Sequence, residues 1–233
     1  MQAKKTSGKS PTDSKVVFDS FIGTTHQRNE DKVFVLSHEE YTILGVFDGV
    51  GSAKNNALAT KLASRFIEKQ HHKFYKDGVF MLESMIIDLN KEILAHPQAK
   101  STALSTCAIC VYFESTNKLM FLTLGDTRIY ALGKHYVTKL TEDDVVFPGS
   151  NMITKCLGLD LEEGDVFEKV INDFRDSILI CSDGFYKIFE ETRVSFFNSF
   201  LNKKRLETIK NNWQDLVENK NTDDASYVLL KNV

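Results

Sequence analysis

The chain has little of several things. Only three of its 233 residues are proline and twelve are glycine, too few for a collagenous or low-complexity polymer. No apolar run approaches the ~20 residues a membrane-spanning helix needs, and the lysines near the N-terminus are not followed by the apolar stretch of a secretory signal. Neither sign of charge dominates: 29 Lys and Arg face 32 Asp and Glu, a net −3. That excludes the global basic field with which nucleic-acid binders gather phosphates, and it excludes a polybasic membrane anchor. What is present is ordinary globular material, 42% hydrophobic and 26% charged, enough to bury one sizeable core. The first 15 residues, polar and rich in Lys and Ser, are expected to form a flexible tail, and 16–233 a single domain.

There are four cysteines, at 107, 110, 156 and 181. Cys107 and Cys110 spell Cys-x-x-Cys, a spacing that invites a metal or redox reading. They lie in STCAICVYF, a β-prone apolar run. Residues three apart on a strand point to opposite faces, so the two sulfurs should diverge. With no second such pair, reduced core thiols in a cytoplasmic protein are the expectation.

Seven runs read as strands: Lys32 to Leu36, Tyr41 to Phe47, Thr106 to Phe113, Lys118 to Leu124, Arg128 to Leu132, Ser177 to Cys181 and Ala225 to Leu230. Helical periodicity covers Ala53 to Lys73, Val79 to Leu94, a stripe at Val194, Phe197 and Leu201, and another from Leu206 to Val217. His71-His72 reads as a solvated helix end, and Lys203-Lys204-Arg205 as a solvated face opening the last helix. Short loops between consecutive strands imply antiparallel pairing, and helices in pairs imply that each pair covers one sheet. The expected fold is α+β, a four-layer αββα sandwich of two antiparallel sheets flanked by pairs of helices.

The informative feature is where the acids fall. Asp48, Asp126 and Asp183 follow strands; Glu30 with Asp31, and Asp223 with Asp224, precede strands. In an antiparallel sheet the end of one strand lies beside the start of the next, so all five positions can meet on one rim. Ionised carboxylates share a small volume only around a cation. Oxygen donors without paired His or Cys select hard ions, Mg²⁺ or Mn²⁺, and two such ions suit phosphoryl chemistry. Each Asp taken singly also fits a turn or a helix cap.

Six segments in order carry a resemblance: RNED at Arg28 to Asp31, VFDGVGS at Val46 to Ser52, LGDTRIY at Leu124 to Tyr130, NMITKCLG at Asn151 to Gly158, CSDGF at Cys181 to Phe185 and TDDASYVLL at Thr222 to Leu230. Together they resemble the metal-dependent protein phosphatases, the protein phosphatase 2C-like family, over roughly residues 18 to 231. The resemblance implies a serine/threonine phosphatase using a metal-activated water. Asp48 would bridge two metals, the Gly49 carbonyl would bind one and Asp183 the other. Asp223 takes the metal-binding place in the last motif, with Asp224 where Asn is frequent. Glu30 and Asp31 match an acidic pair that holds metal directly or through water. Asp126 matches an aspartate that, with Asp183, can bind a third, weaker ion. The implied partners are phosphorylated proteins and an opposing serine/threonine kinase, with a monomer expected and no nucleic acid or membrane.

The chain departs from the family at two places. His26 stands where an arginine usually meets the substrate phosphate; Arg28, two residues on and on the same strand face, can take that role or be a surface arginine. Val50 stands where some members carry a histidine acid. The stretch from Leu140 to Asp165 matches a flap that shapes substrate access, and it is short. A second reading is therefore a catalytically weak relative acting as a phosphoprotein-binding module. Rival plans fail: no Cys is followed six residues later by Arg, and no phosphate loop, kinase loop or Gly-x-Ser-x-Gly elbow occurs.

Overall fold

A computed structural model of the protein describes residues 15–51, 55–99, 102–162, 164–202 and 205–232. Two five-stranded antiparallel sheets stack face to face. One contains β2 (Lys32–Ser37), β3 (Thr42–Phe47), β6 (Cys107–Phe113), β7 (Lys118–Leu124) and β10 (Lys169–Ile171), in the order β10-β7-β6-β3-β2. The other contains β1 (Val16–Phe21), β8 (Arg128–Leu132), β9 (Val137–Lys139), β11 (Ser177–Cys181) and β12 (Ala225–Leu230), in the order β1-β12-β11-β8-β9. A two-stranded ribbon, β4 (Tyr75–Lys76) and β5 (Val79–Phe80), stands apart.

Helices α1 (Asn56–Gln70) and α2 (Leu82–Ala95) cover the first sheet; α3 (Asp183–Glu191), α4 (Arg193–Asn202) and α5 (Leu206–Val217) cover the second. The αββα sandwich is as expected, except that the second outer layer holds three helices rather than a pair. No helix among the described residues is long and apolar enough to cross a membrane.

The central strands are apolar without a break because both of their faces are covered. Along β6, Cys107, Ile109, Val111 and Phe113 pack toward α1 and α2, while Ala108, Cys110 and Tyr112 pack between the sheets. The two sulfurs of the Cys-x-x-Cys therefore enter different cores, as the strand period requires. Along β12, Ala225, Tyr227 and Leu229 meet α3 to α5, and Val228 and Leu230 meet the other sheet. Trp213 is fully buried there, its ring 5.0 Å from that of Tyr227 and 5.4 Å from that of Phe196.

All seven expected strands are present, and the stripes at 53–73, 79–94, 194–201 and 206–217 each overlap a helix. The missed strands are short or lie at edges. Among the described residues strand β1 pairs only with β12, and it carries Asp19, whose carboxylate meets Lys210 at 3.3 Å. Helix α3 was hidden because Asp183-Gly184 reads as a turn. Gly184 is needed inside that helix: a Cβ there would lie 2.2 Å from the Asp224 carbonyl oxygen. His71 is not simply solvated, since its Nδ1 is 2.8 Å from the Tyr41 hydroxyl; His72 is exposed. Lys15, expected in the tail, pairs with Glu114. The rest of the expected tail, and Lys203-Lys204, lie outside the described residues.

Candidate metal centre

Strand register gathers the acids. Lys32 opposes Phe47 across β2 and β3, so Asp31, just before one strand, faces Asp48, just after the other. Arg128 opposes Cys181 across β8 and β11, which sets the Asp126 turn beside Asp183. Cys181 opposes Tyr227 across β11 and β12, which sets Asp183 beside Asp223 and Asp224. The two sheets contribute to one rim, and the N-terminal end of α3 closes it.

The charges there burden one another. Burial pushes the Asp31 carboxyl up to about 7, although it is hydrogen-bonded to Asp48, Ser182 and Ser226. Burial first, then Asp31, Asp183 and Asp126, raise Asp48 well above the carboxylate range. Asp126 is pushed to about 6 by burial and by Asp183, and Asp223 is raised by the same two causes. The Ser182 hydroxyl donates to Asp31 Oδ2 at 2.8 Å, while buried Asp31 Oδ1 meets no N–H or hydroxyl among the described residues and has only the Asp48 carboxyl near it. A buried anionic oxygen without a partner is costly and asks for a cation.

The other predicted residues divide into two groups. Glu30 is held by the Nδ2 of buried Asn56 and by Arg28 Nε at 2.8 Å. Arg28 itself is 64% exposed. Gly49 runs close against α1, where a Cβ would lie 2.9 Å from that of Asn56. Asp224 is 3% exposed and clamps the backbone: its Oδ1 accepts from the Gly23 amide at 2.8 Å and its Oδ2 from the Glu30 amide at 2.7 Å. Asp223 has a side chain 47% exposed, turned to the rim. His26 spans the two, 3.4 Å from Asp223 and 3.2 Å from Asp224. Burial would lower its pKa, but the bond to Asp224 and the surrounding carboxylates raise it.

Sequence reading missed four contributors. Asn56 orients Glu30 from the first turn of α1. Ser182 bridges Asp31 and the Ser226 amide. Thr106, beside the Thr127 hydroxyl, accepts from the Asp48 amide at 3.2 Å. Lys187 meets Asp183 at 2.6 Å. Only Lys187 had a signal, its four-residue spacing from Asp183, and that signal required α3 to be recognised.

No three of the described His, Cys, Asp and Glu side chains close on one point as a ready ligand set. Hard divalent ions do not demand one, because Mg²⁺ keeps several waters and binds through one or two carboxylates. The all-oxygen donors, the burial that raises both Asp31 and Asp48, and the Asp31 Oδ1 that no N–H or hydroxyl reaches among the described residues fit such an ion.

The chain is 23% identical over 202 residues to the serine/threonine phosphatase stp of Listeria monocytogenes, covering 74% of this chain and 78% of that protein. The crystal structure of serine/threonine phosphatase Stp1 from Staphylococcus aureus superposes with a TM-score of 0.78 at 18% identity, covering 99% of both chains. The catalytic domain of serine threonine protein phosphatase PstP in complex with 2 manganese ions superposes with a TM-score of 0.71 at 18% identity, covering 92% of this chain and 96% of that one. The sequence profile of protein phosphatase 2C matches residues 22–226, and the chain belongs to that family.

Proposed function

We propose that the protein is a Mg²⁺- or Mn²⁺-dependent phosphatase that removes phosphate from phosphoserine and phosphothreonine in proteins, opposing a serine/threonine kinase. The observation that carries the reading is the buried pair Asp31 and Asp48, carboxyl against carboxyl, with one Asp31 oxygen reached by no N–H or hydroxyl among the described residues. Asp48, the Gly49 carbonyl, Asp183 and Asp223 would hold two ions, with Glu30 and Asp31 behind them. When bound, the ions acidify a water and neutralise charge on the phosphoryl group. Glu30 is fixed by Asn56 and Arg28, so the acidic wall does not collapse when a phosphate approaches. Val50 carries no proton donor, which leaves solvent to protonate the departing serine or threonine oxygen.

The test is hydrolysis of p-nitrophenyl phosphate and of phosphoserine and phosphothreonine peptides. Turnover should require Mn²⁺ or Mg²⁺, stop on chelation and return when metal is added back. Binding of phosphopeptide with no turnover at saturating Mn²⁺ would overturn the reading in favour of a binding module.

Arg28 is the phosphate clamp in this reading. Its Nε is held by Glu30 at 2.8 Å, so the terminal edge of the fork is left for phosphate oxygens. Arg28→Ala should raise KM for a phosphopeptide about tenfold, the loss of roughly one charge-assisted hydrogen bond, with kcat within a few-fold. An unchanged KM would make Arg28 a surface residue.

A further inference from the structure

Lys187 lies one turn after Asp183 on α3, and its Nζ stands 2.6 Å from Asp183 Oδ2. Acid preceding base at this spacing is the favoured orientation on a helix. Asp183 is 15% exposed and Lys187 52%, so the lysine reaches in from solvent to the acid. The β8–β11 register sets the Asp126 turn beside Asp183, so the ammonium, charged at neutral pH, is held at that same part of the rim. Asp143, another acid acting on Asp126, has its own cation in Arg128, 2.6 Å away.

Asp126 and Asp183 are the two side chains to which the family resemblance gives a third ion. In this chain a tethered cation already sits on one of them. The ammonium fills one of the carboxylate's lone-pair sites and repels a divalent ion placed beside it, while Asp183 Oδ1 stays open to one of the two ions above.

We propose that Lys187 takes the place of the third metal ion, so that this chain uses two exchangeable divalent ions and one built-in ammonium at its acidic rim. The inference rests on the two-metal reading above. Lys187 offsets the Asp126–Asp183 repulsion at every metal concentration and makes that part of the rim insensitive to divalent-ion supply. It is a positioning residue, acting on the phosphoryl site through Asp183.

Counting ions tests it without recourse to activity. Crystals of the wild-type protein and of its variants, soaked in manganese, are compared by anomalous diffraction at the manganese edge. The wild type should give two peaks at the rim. Lys187→Gln should give three, the new one between Asp126 and Asp183, and Lys187→Arg, which keeps the charge, should return to two. The double variant Lys187→Gln with Asp126→Asn should lose the third peak again. Three peaks in the wild type, or two in Lys187→Gln, would overturn the inference and leave the two-metal reading standing. No peak in the wild type would sink both.

Discussion

Asp48→Asn should lower kcat on p-nitrophenyl phosphate at saturating Mn²⁺ by about 10³-fold or more, the equivalent of roughly 4 kcal/mol of transition-state stabilisation, while raising the melting temperature of the metal-free protein by about 3 °C. The two effects have one cause. Asp48 is pressed by Asp31, Asp183 and Asp126 in a buried site that raises its pKa well above the usual carboxylate range. Without a cation, that repulsion works against folding. An asparagine removes one charge, and its amide can donate to the otherwise donorless Asp31 Oδ1. The same substitution deprives the rim of its central anion. Stability gained with activity lost is the signature of a site strained for function. Activity within tenfold of wild type, or a fall in melting temperature, would contradict the assignment of Asp48.

Much of this was legible in the sequence, for identifiable reasons. Strands β3, β6, β11 and β12 announce themselves because both faces are buried, which forces an unbroken apolar run. The edge strands β1, β9 and β10 do not, because an open edge admits Asp19, Thr138 and Lys169. Helix α3 is concealed by Asp183-Gly184, a turn signature that here opens a helix because the Asp224 carbonyl leaves no room for a side chain. The acids were legible as strand-end residues, since register alone brings strand ends together. Their supporting partners were not. Asn56 reaches Glu30 from 26 residues away and Ser182 reaches Asp31 from 151 away, separations at which no local pattern survives. Lys187 is the intermediate case, readable only after its helix is known.

The neighbouring acids Asp223 and Asp224 show how far spacing alone can go and what geometry adds. The resemblance of the final motif points to Asp223 for the metal place, and the two side chains differ sharply in exposure, 47% against 3%. Asp224 ties the 23–30 loop to β12 through the amides of Gly23 and Glu30. Asp224→Ala would leave two backbone donors unmet, one of them on buried Gly23, at a combined cost of about 3 kcal/mol. For a domain of this size that is a fall in melting temperature of about 6–12 °C. Asp223→Ala removes an acceptor for the Asp224 amide at 2.9 Å on the exposed side, so stability should shift by less than about 1 kcal/mol. Its kcat with Mn²⁺ should nevertheless drop by about 10²-fold, the loss of one ligand to a charge-neutralising ion. Thermal melts and metal-dependent kinetics on the two alanine variants separate the roles: a larger melting shift for Asp223→Ala than for Asp224→Ala would reverse the assignment and make Asp224 the ligand.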